Sequence, residues 1–154
     1  MNRARIKRWL KTGKLLPDLA DIIRNIKNPM QWLLITEPWC GDAAHSHAFI
    51  EKLSGLNELI QLEIQNRDAT GSEIEQYLTN GTKSIPILVV RDAKGKDLFT
   101  WGPRPKEAQE MFLSQKKASP DRTEDDKRAL QKWYNKNKGV DIQEELIHLF
   151  RKLS

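Results

Sequence analysis

Trp32-Leu33-Leu34-Ile35-Thr36-Glu37-Pro38-Trp39-Cys40-Gly41-Asp42-Ala43-Ala44 is the stretch on which the reading of this chain turns. Its first five residues form an apolar run of strand length, and a helical period begins near Cys40. The only cysteine therefore stands where a strand turns into a helix. The first turn of a helix has unpaired backbone N–H groups and the positive end of the helix dipole. A thiol placed there is pushed toward thiolate, the reactive form.

Upstream, residues 4–12 read as a short helix with Ile6, Trp9 and Leu10 on one side. Pro17-Asp18 opens a second helix with the stripe Leu19, Ile22, Ile23 and Ile26, and Asn28-Pro29 ends it. The first strand spans about 31–36. Downstream, the helix after Cys40 turns Phe49, Ile50 and Leu53 inward and stops at Ser54-Gly55. Leu59 to Ile64 alternates as a strand, and Ile74, Tyr77 and Leu78 mark a third central helix ended by Asn80-Gly81. Pro86-Ile87-Leu88-Val89-Val90 is almost wholly apolar and belongs in the sheet interior. Leu98 to Trp101 returns as its hairpin partner across the turn Asp92-Ala93-Lys94-Gly95.

A helix then runs to about Gln115, a second from Ser119-Pro120 to about Lys136, and a third carries Ile142, Leu146, Leu149, Phe150 and Leu153. Asp141 with Glu144 resembles a capping box for this last one. The order is two helices, β-α-β-α-β-β-α, and two more helices. Strands separated by helices argue for parallel pairing through right-handed crossovers, with the hairpin adding antiparallel edges. The expected fold is α/β, a mixed sheet of about four strands flanked by helices.

The length of 154 residues suits one domain. Basic and acidic residues alternate, as in Asp121-Arg122-Thr123-Glu124-Asp125-Asp126-Lys127-Arg128, which reads as a solvated helix face rather than a nucleic-acid patch. The densest basic cluster is Arg3, Arg5, Lys7, Arg8, Lys11 and Lys14. One cysteine rules out an internal disulfide framework and points to a reducing compartment. No apolar run follows the basic start and none is long enough to span a bilayer, so the expected location is the cytoplasm, without a membrane partner.

Trp39-Cys40-Gly41 at the end of the first strand, in this element order, resembles the thioredoxin fold. Two further markers are Gly81-Thr82-Lys83-Ser84-Ile85-Pro86, similar to the thioredoxin segment that ends in Ile and a cis-proline, and Gly102 after the hairpin. Together with Phe99-Thr100-Trp101-Gly102-Pro103-Arg104-Pro105 they look like a bacterial thioredoxin-like branch with a single-cysteine Trp-Cys-Gly-Asp-Ala motif. The resemblance implies a single thioredoxin-like domain over 1–154, with its core at about 30–115 and helical extensions at 1–28 and 119–154.

Thioredoxins carry Cys-Gly-Pro-Cys; here Asp42 replaces the proline and Ala43 the second cysteine. Leu34 stands where thioredoxins have a buried acid that helps deprotonate that second thiol. An internal dithiol cycle is therefore excluded by counting thiols. What remains is attack by Cys40 on a disulfide or glutathionylated thiol, completed by a second thiol from outside, with glutathione as candidate co-substrate and no bound cofactor. Monothiol glutaredoxins are the functional analogy.

Cys40 is the expected catalytic residue, and Trp39, Gly41, Asp42, Ile85 and Pro86 are the expected substrate-binding residues. In the family the cis bond sets the backbone before the proline, here Ile85, beside the thiol, where an extended substrate can pair with it. Asp42 favours the helix start, but its charge opposes the thiolate. His45 and His47 read as surface histidines that face different sides of a helix and share no metal ion. Trp101, Arg104 and Pro105 are candidates to line a nearby groove. Expected partners are proteins or low-molecular-weight thiols and disulfides, not nucleic acid, with the protein a monomer or weak dimer. The alternatives are a non-catalytic thioredoxin-fold binding module and a peroxide or thiol redox sensor.

Overall fold

The computed structural model describes residues 2–153, without the side chain of Asp42. The elements are α1 (Asn2–Thr12), α2 (Pro17–Arg24), β1 (Met30–Thr36), α3 (Gly41–Ser54), β2 (Ile60–Asn66), β3 (Ile87–Asp92), β4 (Asp97–Trp101), α4 (Lys106–Ala118), α5 (Glu124–Asn137) and α6 (Val140–Arg151). The four strands form one mixed sheet in the order β2-β1-β3-β4. Strand β1 pairs in parallel with β2, Thr36 opposite Asn66, and antiparallel with β3, Ile35 opposite Ile87. Strand β4 pairs antiparallel with β3, with a register shift between Val90 and Arg91. Among the described residues no helix is long and apolar enough to cross a membrane.

Side chains alternate across a strand, so each strand supplies both faces of the sheet. On one face Trp32 and Leu34 of β1, with Leu88 and Val90 of β3, pack against Leu19 and Ile23, Ile50 and Leu53, and Ile142, Leu146 and Phe150. Helices α2, α3 and α6 supply those partners. On the other face Leu33, Ile35, Ile87 and Val89 join Cys40, Ala43, Ile74 and Ile85. Helix α1 docks through Trp9 onto Ala48 and Phe49 of α3, and Ala108 of α4 meets Leu130 and Tyr134 of α5.

Three expectations change. The third central helix is only a 3₁₀ turn at Ile74–Gln76, and β3 runs antiparallel to β1. These two findings have one cause. Strand β2 ends beside the end of β1, and β3 starts there too, so the chain need only step over the end of β1. A return helix is required only for a parallel crossover. The step is tied down by polar contacts. Arg91 donates to Glu73 at 2.8 Å and to Asp97 at 2.9 Å, and the Tyr77 hydroxyl donates to Asp97 at 2.6 Å. The Arg91 hydrogen bond holds the Glu73 carboxyl below its ordinary range, and the Tyr77 hydrogen bond does the same for Asp97.

The third change concerns helix starts. Thr123 and Asp126, rather than Ser119-Pro120, form the reciprocal cap of α5, each bond 3.0 Å. Helix α6 starts at Val140 after Gly139, so Asp141 lies inside it and caps nothing.

Candidate functional site

Strand β1 ends at Thr36, and Glu37-Pro38-Trp39 turns the chain into α3. The Cys40 N–H donates to the Glu37 carbonyl at 3.2 Å, and the Cys40 carbonyl accepts the Ala44 N–H at 3.2 Å. Cys40 is thus the N-cap of α3, in extended backbone conformation. Its residue surface is 9% exposed, and its Sγ donates to the Ile85 carbonyl at 3.8 Å. The Ile85–Pro86 peptide is cis, and both residues are buried. The helix start favours a thiolate, whereas the Ile85 carbonyl and the apolar surroundings favour the neutral thiol.

Cys40 lines open space on two sides. A groove of about 1110 Å³ runs from Trp39, Cys40 and Gly41 to Arg104 and Phe112 of the α4 side and Gln131 of α5. A smaller cavity of about 170 Å³ is lined by Thr36, Pro38, Cys40, Ala43, His47 and Asn66. Trp39 is 60% exposed, with the Arg67 guanidinium 4.8 Å over its ring. Phe112 is held between Arg104 at 3.6 Å and Arg122 at 4.7 Å. Gly41 is the point of closest approach. A Cβ there would lie 2.8 Å from Gln131 Nε2 and 3.2 Å from Arg5 Nη1, the ends of two flexible side chains from α5 and α1 that reach over this turn.

The Thioredoxin_9 model, described as thioredoxin, matches residues 1–124. The chain belongs to the thioredoxin family. The match takes in α1 and α2, which the sequence reading set outside the core. At this coarse level the family supports a thiol–disulfide redox-type function. No curated relative matches the chain. Among solved structures, a protein of unknown function, PA1234, from Pseudomonas aeruginosa superposes with a TM-score of 0.71 at 16% identity, over 99% of this chain and 86% of that one. The HIV epitope-scaffold 4E10_S0 gives a TM-score of 0.69 at 19% identity, over 98% and 85%. Both likenesses concern the fold.

Of the residues expected at a site, Trp39, Cys40, Gly41, Ile85 and Pro86 lie together beside the end of β1. The expected site residue Asp42 stands in the first turn of α3, and its side chain lies outside the described residues. Leu34 and Cys40 fall in different clusters, on opposite faces of the sheet. Arg104 lines the groove, but Trp101 belongs to the large core and donates from Nε1 to Glu145 at 2.8 Å. Pro105 is the buried N-cap residue of α4.

The surface reading of His45 is corrected. It is 2% exposed, stacked on Tyr134 at 4.6 Å, with Nε2 2.8 Å from Gln131 Oε1. Helix α5 covers a side of α3 that the local sequence left open. His47 points elsewhere, to Glu51 at 3.4 Å, and burial lowers its pKa while Glu51 opposes the shift. Among the described residues no group of three His, Cys, Asp or Glu could hold a metal ion.

Sequence reasoning missed Arg67. The signal was available, because parallel pairing of β1 and β2 brings the residues that follow both strands to one end of the sheet.

Proposed function

We propose that this thioredoxin-family protein exchanges thiols and disulfides through Cys40 alone. One observation carries the reading: Cys40 occupies the N-cap position of α3, lines the groove beside Trp39, and touches with its Sγ the Ile85 carbonyl before a cis-proline. The Cys40 thiolate attacks one sulfur of a substrate disulfide. A Cys40–substrate S–S bond forms, the old S–S bond breaks, and the leaving thiolate takes up a proton. Ala43 offers no second thiol, so an external thiol such as glutathione, as thiolate, attacks the mixed disulfide. If it displaces the substrate thiolate, Cys40 is left in a mixed disulfide with the external thiol and a second external thiol frees it; if it displaces Cys40, a second external thiol frees the substrate, so on either route two external thiols end as one disulfide. The substrate disulfide gains two electrons, and the external thiol is oxidised to a disulfide.

The test is turnover of glutathionylated and disulfide peptides by the purified chain with glutathione. Wild type turns over and Cys40→Ser does not; equal rates for the two sink the reading. The burial of Cys40 favours a second one, a non-catalytic module that binds partners in the same groove. Under that reading Cys40→Ser keeps its partner and no turnover is seen.

A further inference from the structure

Two backbone segments from distant parts of the chain bound the thiol, the Glu37–Cys40 turn and the Lys83–Pro86 segment, and one side chain bridges them. Arg67 follows β2 directly, and its N–H donates to the Thr36 carbonyl at 3.0 Å. Its guanidinium lies 4.8 Å over the Trp39 ring, and Nη1 donates to the Lys83 carbonyl at 3.2 Å. Nε and Nη2 grip both oxygens of Asp68, at 3.0 and 3.1 Å. The Asp68 N–H in turn donates to Glu37 Oε1 at 2.9 Å. The Arg67 side chain is 20% exposed and its partner Asp68 59%, so the clamp lies at the surface with the guanidinium partly covered.

We propose that Arg67 is a positioning residue for Cys40: its planar fork holds the Trp39 turn and the Lys83 segment in register around the thiol. The inference rests on the single-thiol exchange reading. Stacking and a forked ion pair at one site require a guanidinium. The Asp68 hydrogen bond pushes the Arg67 pKa up and desolvation opposes it, while the charges of Asp68, Glu37 and Cys40 add smaller upward contributions. The attraction to Cys40 is mutual, so the same cation favours the thiolate. Other charged groups stand nearby. Glu37 lines the small cavity with Cys40, Asp68 is paired with Arg67, and Lys83 is paired with Glu75 at 2.8 Å. Arg3 of α1 and His47 of α3 border the small cavity; Arg5 of α1 and Arg104 border the groove. The Asp42 side chain is outside the described residues.

The experiment is a pH profile of iodoacetamide alkylation of Cys40 in the full chain, with a thermal melt of each variant. Arg67→Gln moves the midpoint up and slows alkylation at pH 7 about threefold. Arg67→Lys recovers only part of that rate, because it restores the charge without the fork, and full recovery overturns the role of the fork. Asp68→Asn moves the midpoint down, because it removes the counter-charge. A purely structural role changes the melts without opposite displacements of the midpoint. If folded Arg67→Gln superimposes on wild type, the proposal is overturned. If Arg67→Gln does not fold, an unchanged or raised midpoint in Asp68→Asn overturns it. A wild-type midpoint at or above about 8.5, with no turnover, sinks the exchange reading instead; the displacement between variants still decides Arg67.

Discussion

The two faces of the sheet use alternate residues of the same strands, yet they are closed differently. Behind Trp32, Leu34, Leu88 and Val90 lie three helices, α2, α3 and α6, and a large apolar cluster. Behind Leu33, Ile35, Ile87 and Val89 lie a turn, a 3₁₀ segment and the residues before a cis-proline, and that smaller cluster contains the thiol. A helix satisfies its own backbone, so it can bury a broad face without further help. A loop is fixed by specific contacts, here the side-chain network of Arg91, Glu73, Tyr77 and Asp97 and the bond from Arg67 to the Lys83 carbonyl. The helix-covered face is where stability is concentrated, and the loop-covered face is where a nucleophile can be held beside open space.

The largest expected effect tests the first half of that contrast. Trp32→Ala removes a fully buried ring from the large cluster and should cost about 3–5 kcal/mol in urea denaturation. Alkylation of Cys40, per folded molecule, should stay near wild type. A large change in that rate would show that the faces are not separable.

Gly102→Ala approaches from the other side. Gly102 has φ +125, and a Cβ there would collide with the Pro86 carbonyl. A cost of about 1–3 kcal/mol is expected. Unlike Trp32→Ala, it should also change the Cys40 alkylation rate, because the Ile85–Pro86 segment must shift.

A smaller effect concerns the polar clamp on the loop-covered face. Glu73 and Asp97 are held below their ordinary values of 4.5 and 3.8. Their folded-state pKa is depressed, so the stability they contribute is present above those values and is lost as pH falls through the folded values. The Glu73 and Asp97 side chains are 31% and 42% exposed, and solvent screening limits the amount to about 1 kcal/mol. Arg91→Met should be less stable at neutral pH, and its difference from wild type should shrink on acidification below about pH 4. A constant difference across that range would place the role of Arg91 in packing alone. The smallest effect is that of Trp39→Ala. With Trp39 60% exposed, the substitution should leave the folding stability nearly unchanged, within about 0.5 kcal/mol, while weakening peptide binding in the groove.

Much of this was legible in the chain. The strand at Trp32–Thr36, the interior strand at Ile87–Val90 and the stripes of α2 and α6 follow from residue spacing, a local property. Cys40 at a helix start, Ile85 and Pro86 were readable from motif order. The third central helix misled because Ile74, Tyr77 and Leu78 have helical spacing, yet Leu78 is 42% exposed and Tyr77 is held by Asp97 and Arg91. His45 misled because its partners Trp9, Gln131 and Tyr134 come from α1 and α5, far away in sequence.

The chain alone settles that its one thiol stands at a strand-to-helix junction, because composition and local period are properties of neighbours; that Ala43 takes the place of a second thiol is what the thioredoxin resemblance adds. It could not say that Leu34 faces away from the thiol, that α4 and α5 wall the groove, or that Arg67 joins the two segments around Cys40. Those contacts span many residues, and strand register and helix docking create them.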